Sequence, residues 1–211
     1  MAQLKKIKSV ENATLYNDAQ GNPLIRIDNC RLSFPFLGTP GEDEDDNGNK
    51  KKSWRVVAMM PKDTHEAAHA LIEKTIKDLI ASNDTKVSPD KWFMTDGDEK
   101  EREEMEGHWC ISASDGRIRP TARNRRQEVM DDIAKIDEMF YGGCWAHVLI
   151  RPWYFAGKTK NSPKTFPKRI SAGLNAVMFA KDDKPFGSGR IDDEDAWDGI
   201  ESSDDDDDDG L

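Results

Sequence analysis

Residues 141–156 read YGGCWAHVLIRPWYFA. Past the glycine pair the stretch alternates. Cys144, Ala146, Val148, Ile150 and Tyr154 fall on one side, and Trp145, His147, Arg151 and Trp153 on the other. A period of two is the signature of a strand, and the first set suits a core. The second set is too polar and aromatic for a core face, so it is expected to point outward. The fold class that follows is mainly β.

Neighbouring segments repeat this pattern. ATLYNDAQGNPLIRI (13–27) reads as two extended pieces around a turn at Gly21-Asn22-Pro23, and the second runs on through LIRIDNCRLSF (24–34). SWRVVAMM (53–60) is a strand by its β-branched and aromatic content, ended by Pro61. HWCISAS (108–114) alternates, with Trp109, Ile111 and Ala113 as its core side, and RISAGLNAVMFA (169–180) is the last strand. The clearest helix is DTHEAAHALIEKTIKDLIASN (63–83), with Ala68, Ile72, Ile76, Leu79 and Ile80 as the buried stripe and Asp63 with Glu66 as a capping box. QEVMDDIAKIDEMF (127–140) suggests a short helix with Val129, Met130, Ile133 and Ile136 on one side. GTPGEDEDDNGNKKK (38–52) is expected to be a long exposed loop, KTKNSPKTFPKR (158–169) a basic one, and residues 88–107 irregular and charged. About five strands with one main helix between early strands fit a β-barrel with inserted helices, an OB-fold. A β-sandwich is the alternative.

Of the 211 residues, 36% are hydrophobic and 34% charged, so part of the length is expected to stay unstructured. No apolar run approaches the ~18 residues of a membrane span, and the N-terminus lacks the apolar region of a secretion signal. Cys30, Cys110 and Cys144 are isolated, which argues against a disulfide framework or a zinc ribbon and for a reducing compartment. The net charge of −10 is unevenly spread. Residues 192–211 hold twelve acids and no Lys or Arg, which leaves 29 acids against 31 bases elsewhere. A second acidic cluster, Glu42–Asp46, takes five more acids out of the balance. A basic body of this kind suits a polyanionic partner. The expected organisation is an ordered domain over 1–189 and a disordered acidic tail over 190–211, because six consecutive aspartates repel one another and bury nothing.

His65-Glu66-Ala67-Ala68-His69 spells the H-E-x-x-H of zinc peptidases. Here it sits in the first turn of its helix, where Glu66 has a plain capping role, and no third ligand follows. A zinc-dependent hydrolase using His65, Glu66 and His69 is therefore the weaker alternative. PFGSGR (185–190) lacks the ending of a phosphate-binding loop and follows a strand rather than preceding a helix. No catalytic arrangement emerges, and neither a cofactor nor a metal is expected.

What remains is a mixture of cations and aromatic rings. Trp54 stands between Lys50, Lys51, Lys52 and Arg55, while Arg119, Arg123 and Arg125 share one basic stretch. Trp145, Arg151 and Trp153 share a strand face, and Lys158, Lys160, Lys168 and Arg169 flank Phe166. With Arg31 these are the candidate DNA-binding residues. Cations track phosphates, and flat rings stack on unpaired bases whatever the base.

The chain resembles a bacteriophage family of single-stranded-DNA-binding proteins, formerly a domain of unknown function. RLSFPFL (31–37), WRVVAMMPKD (54–63), EGHWCISASDGRIRP (106–120), FYGGCWAHVLIRPWYF (140–155) and ISAGLNAVMFAKDDKPFGSG (170–189) carry the resemblance. It departs at the acidic loop after Phe36 and at KTKNSPKTFPK (158–168). The resemblance implies an OB-fold and a role in phage DNA replication, recombination or repair, in the cytoplasm of the infected bacterial host. It also implies an acidic tail ending in an apolar residue, matching Asp204, Asp205, Asp206, Asp207, Asp208, Asp209 and Leu211. Such a tail is expected to compete with single-stranded DNA for the basic groove and to present its end to a polymerase, helicase or nuclease. Self-association stays open, and an acidic DNA mimic is a further alternative.

Overall fold

The computed structural model describes residues 4–44, 50–158 and 164–187. In chain order the elements are β1 (Lys5–Val10), β2 (Ala13–Asn17), β3 (Pro23–Glu44), β4 (Lys50–Pro61), α1 (Glu66–Ser82), β5 (Met94–Asp96), β6 (His108–Asp115), β7 (Thr121–Arg123), β8 (Val129–Met130), α2 (Ile133–Met139), β9 (Trp145–Phe155) and β10 (Arg169–Lys181). Five strands close a ring. β3 pairs with β4, β4 with β6, β10 with β9 and β9 with β3, all antiparallel, and a short parallel bridge from Ala113 to Ala172 joins β6 to β10. This is the five-stranded barrel of an OB-fold. The remaining strands are appendages: the β1–β2 hairpin lengthens the sheet beyond β3, β5 adds to β6, and the β7–β8 pair adds to β10.

The alternation in β9 does what its pattern demands. Cys144, Ala146, Val148 and Ile150 are fully buried, whereas Trp145, His147 and Arg151 are half-buried and Trp153 is exposed. β4 and β6 add Val56, Ala58, Met60, Ile111 and Ala113 to the same core, and α1 adds Ala68, Leu71, Ile72 and Ile76. The helix packs against β9, β2, β1 and β3. Leu79 and Ile80, on the expected stripe, are partly buried against that core.

Four local expectations need correction. The N-cap of α1 is His65, and no side chain caps that end, so Asp63 and Glu66 form no capping box. Val129 and Met130 are a strand, and the helix begins only at Ile133, capped by Asp132; of the expected apolar side, Ile136 is buried and Ile133 exposed. The segment expected to be a long loop is in large part a ladder, because β3 continues to Glu44 and β4 begins at Lys50. Opposite charges facing across the strands, as at Glu42 and Lys52, favour that pairing. Residues 88–107 fold into three 3-10 turns and β5 rather than an irregular loop.

His65 is a core residue. Its Nε2 donates to the Asp28 carbonyl at 2.8 Å and its Nδ1 accepts from the Thr64 hydroxyl at 2.9 Å, which fixes a neutral tautomer and ties α1 to β3. Both nitrogens are thus engaged within the fold, which argues against a zinc-ligand role. His69 stacks on the half-buried Trp109, ring centroids 4.1 Å apart. The three cysteines are free and buried, and burial pushes the Cys110 thiol up to about 11 and Cys144 to about 12, so they act as small apolar fillers.

Burial holds both His65 and His69 below the ordinary histidine value. The unfolded chain then binds protons that the folded one refuses, so stability falls as pH drops through ~6.5, the value for unfolded histidine. A melting series from pH 7.5 to pH 5 at constant ionic strength should show a declining melting temperature. A flat series would contradict the buried, neutral state of these rings.

Candidate nucleic-acid interface

Residues opposite each other in antiparallel strands share a face. Three rows therefore cross the outside of β3, β4 and β6: Arg31–Met59–Cys110, Ser33–Val57–Ser112 and Phe36–Arg55–Ser114. Between the second and third rows β3 gains one residue, and Phe34 there adopts a left-handed backbone with φ of 49°. The bulge leaves two phenylalanines at the surface. Phe34 is 42% exposed and Phe36 36% exposed. Each ring lies under a guanidinium, Arg102 over Phe34 and Arg55 over Phe36, both at 4.7 Å.

β3 and β4 continue beyond this face as a two-stranded arm carrying Lys50, Lys51 and Lys52, with Lys52 2.9 Å from Glu42. The arm is fixed at its base by α2. Asp137 accepts from the Gly38 amide at 3.0 Å, from the Thr39 amide at 3.0 Å and from the Thr39 hydroxyl at 2.6 Å. A Cβ on Gly38 would meet the Asp137 carboxylate and the Ile133 carbonyl, so only glycine permits this approach. Trp54 belongs to the same joint, its indole donating to the Gly38 carbonyl at 3.1 Å.

Arg31 lies at the seam with β9. It covers Phe186 at 4.4 Å, approaches Trp145 at 5.8 Å and donates to the Gly143 and Lys184 carbonyls. Trp145 donates to Asp183 at 2.6 Å and carries the Lys181 ammonium over its ring at 4.8 Å.

The outer side of β9 and β10 is a second surface. Arg151 is 2.5 Å from Asp18, and this bond holds the carboxyl of Asp18 well below the usual carboxylate range. His147 and Arg26 converge on Asp28. Burial alone would raise Asp28, but the hydrogen bonds from His147 and Arg26 outweigh it and hold it low. Trp153 meets Phe155 edge-on at 6.1 Å, Phe155 approaches Phe166 at 6.5 Å, and Arg169 covers Phe155 at 4.5 Å. Lys168 donates to the Thr85 hydroxyl, and Lys158 forms an isolated bridge with Thr165. Around β7, Arg123 donates to the Gln127 carbonyl, Arg125 lies 5.5 Å over Phe179 and Arg119 is 3.9 Å from Asp131.

The expected binding residues are thus divided. Arg31, Lys51, Trp54 and Arg55 gather on the β3–β4 side, while Arg151, Trp153, Lys158, Lys168 and Arg169 lie along β9 and the β9–β10 connection, with Trp145 at the seam. Arg119, Arg123 and Arg125 form a separate group beside β10. Lys160, Asp204–Asp209, Leu211 and the 189/190 boundary lie outside the described residues. Sequence reading missed Phe34, Phe36 and Arg102. The signal was present in RLSFPFL, where Leu32 and Leu37 supply the buried positions and leave the two phenylalanines unaccounted for.

A closed OB barrel whose strand face and flanking connections carry rings under cations defines an oligonucleotide-binding class of protein. The family described as the single-stranded-DNA-binding protein of Enterobacter phage Enc34 matches residues 24–210, and the chain belongs to that family. It is a family of binding proteins, not enzymes. The solved single-stranded-DNA-binding protein of bacteriophage Enc34 is 36% identical, with a TM-score of 0.73 over 93% of this chain and 99% of that one. The same phage protein in complex with single-stranded DNA gives 35% identity and a TM-score of 0.75 over 88% and 99%. A curated relative, "Putative protein p50" of Acyrthosiphon pisum secondary endosymbiont phage 1, is 25% identical over 79% of this chain and 88% of its own length.

The hold of α2 on the arm is testable. Asp137→Ala should strip the Gly38 and Thr39 amides of their acceptor and cost about 1–3 kcal/mol of stability. Hydrogen exchange at those two amides should accelerate while amides in the middle of β9 keep their protection.

Proposed function

We propose that this chain binds single-stranded DNA without strong sequence preference, through the outer face of β3, β4 and β6. The observation that carries the reading is the pair of exposed phenylalanines, each beneath an arginine, on the outer face of the barrel. Exposed rings offer π-faces to any base, and the neighbouring guanidiniums meet phosphates. The complex of the Enc34 relative with single-stranded DNA supports it. Lys51 on the arm and Lys158, Lys160, Lys168 and Arg169 at the β9–β10 connection extend the cationic track. Trp54, Trp145 and Trp153 add aromatic surface, and Arg31, Arg119, Arg123, Arg125 and Arg151 add charge around the barrel.

In this reading residues 1–189 are the DNA-binding domain and 190–211 an acidic tail. The tail competes with DNA for the cationic track and presents Asp204–Asp209 and Leu211 to a replication, recombination or repair protein in the host cytoplasm. Its composition supports this, with twelve acids and no base from residue 192 onward.

Fluorescence titration of a labelled oligonucleotide at several salt concentrations tests the first part. With about five phosphates neutralised, log K should fall against log salt with a slope of roughly −3.5. Phe36→Ala and Trp153→Ala should each weaken binding by ~1–3 kcal/mol while melting stays close to that of the parent. A slope near zero, or lost stability with unchanged affinity, would refute the reading.

Truncation after Arg190 tests the tail. It moves the net charge from −10 to +2, since 29 acids and 31 bases remain. Affinity for single strands should rise, and duplex DNA should begin to bind, both effects fading towards 1 M salt, where the screening length is ~3 Å. Equal affinities before and after truncation would show that the tail does not visit the DNA site.

A further inference from the structure

A concavity of about 680 Å³ on the proposed face has Val57, Cys110, Ser112 and Met105 in its lining and the segment Lys100–Glu104 beside them. That segment belongs to a stretch, residues 96–106, with seven carboxylates against two cations. An acidic rim is unexpected on a surface meant for a polyanion, and its attachment shows that it is not a loose flap. Met105 is buried against Met59 and Cys110. Lys62 holds Asp96 at 2.6 Å and Asp98 at 2.7 Å, and its amide donates to the Gly107 carbonyl. The Gly107 amide in turn donates to Asp98. Glu104 lies 3.6 Å from Arg102, the residue that covers Phe34. Glu101 and Glu103 are exposed and, among the described residues, have no ion-pair partner. Two carboxylates outside any ion pair among the described residues therefore stand at the edge of the concavity, beside Lys100, on a backbone fixed at both ends.

Their consequence depends on how many backbones the ligand has. A single strand can lay its bases against Val57, Ser112 and Phe34 and turn its phosphates towards Arg55 and the lysines of the arm. The rim then faces bases rather than phosphates. A duplex has its bases paired inward and both backbones outside, with one charge per ~1.7 Å of axis. Laid against the face, a duplex brings a backbone towards the rim as well as towards the arm. Repulsion built in against the wrong ligand is a common source of specificity.

We infer that Glu101 and Glu103 form a strand-selectivity element that keeps duplex DNA off the β3–β4–β6 face, separately from the acidic tail. This rests on the reading that the face binds single strands. Two charges about 7 Å from a phosphate in water weaken binding by a factor of about three each before screening.

The test uses the full chain, a labelled oligonucleotide and the blunt duplex of the same length, at low salt. Glu101→Gln with Glu103→Gln should raise duplex affinity about three- to tenfold and change single-strand affinity less than about twofold. The control, Glu66→Gln with Asp78→Asn on the exposed side of α1, removes the same charge and should move neither affinity. Both variants replace exposed side chains by near-isosteres, and matched melting curves establish that they fold. An equal gain for both ligands, a gain matched by the control, or no gain in duplex binding overturns the inference. If the parent chain binds the duplex but not the single strand, the single-strand-binding reading falls as well, whereas normal single-strand binding with no duplex gain removes only the rim's role.

Discussion

Barrel closure depends on β9, the strand that joins the last strand of the ring back to the first. β9 lies between β10 and β3, with Ile150 opposite Leu174 on one side and Ile25 on the other. Its alternation of buried and outward residues fixes the register of both pairings, since a slip of one position would send Ala146, Val148 and Ile150 to the surface. Without β9, the first and last strands of the ring have no common neighbour, and α1 loses one of the surfaces it packs against. The proposed face begins on β3, the strand next to this closure, so its geometry is set in part by the inward residues of β9.

The face itself combines rigid parts with a projecting one. β4 and β6 are paired from Trp54–Asp115 to Pro61–His108 without interruption, which gives the face a regular floor. β3 is irregular by contrast, with a bulge at Phe34 and a second break before Gly41, where the arm leaves the barrel. α2 is short, yet its Asp137 fixes that departure through three donors. A seven-residue helix with a single buried residue contributes little as a packing element. Its contribution is to hold the arm's root.

Much of this was legible in the sequence, and the losses have physical causes. The alternation of 144–154 and the apolar stripe of 68–80 are periodic over several turns or residue pairs, so both elements and their buried faces could be read directly. Phe34 and Phe36 were not read as surface rings because a bulge breaks the period at that point, and apolar residues beside Leu32 and Leu37 pass for core. Glu42–Glu44 looked like loop because acids beside glycine and proline signal turns, whereas the lysines that pair with them lie several residues further on. The split of cations between the two sides of the barrel depends on strand order, which local pattern does not encode. Arg151 shows the same limit, since its bond to Asp18 spans 133 positions.

Gly97 is pressed between the carbonyls of Met105 and His108, so that a Cβ there would collide with backbone. Glu101 and Glu103, a few positions along, are exposed on the same stretch. Under mutation these positions should behave in opposite ways: the glycine admits no replacement, while the acids can be exchanged without disturbing the fold. A scaffold arranged like this is evolvable in one property. On the proposed role of the rim, descendants of this chain can drift in which nucleic acid they accept, by changing its sign, while the barrel beneath is inherited unaltered.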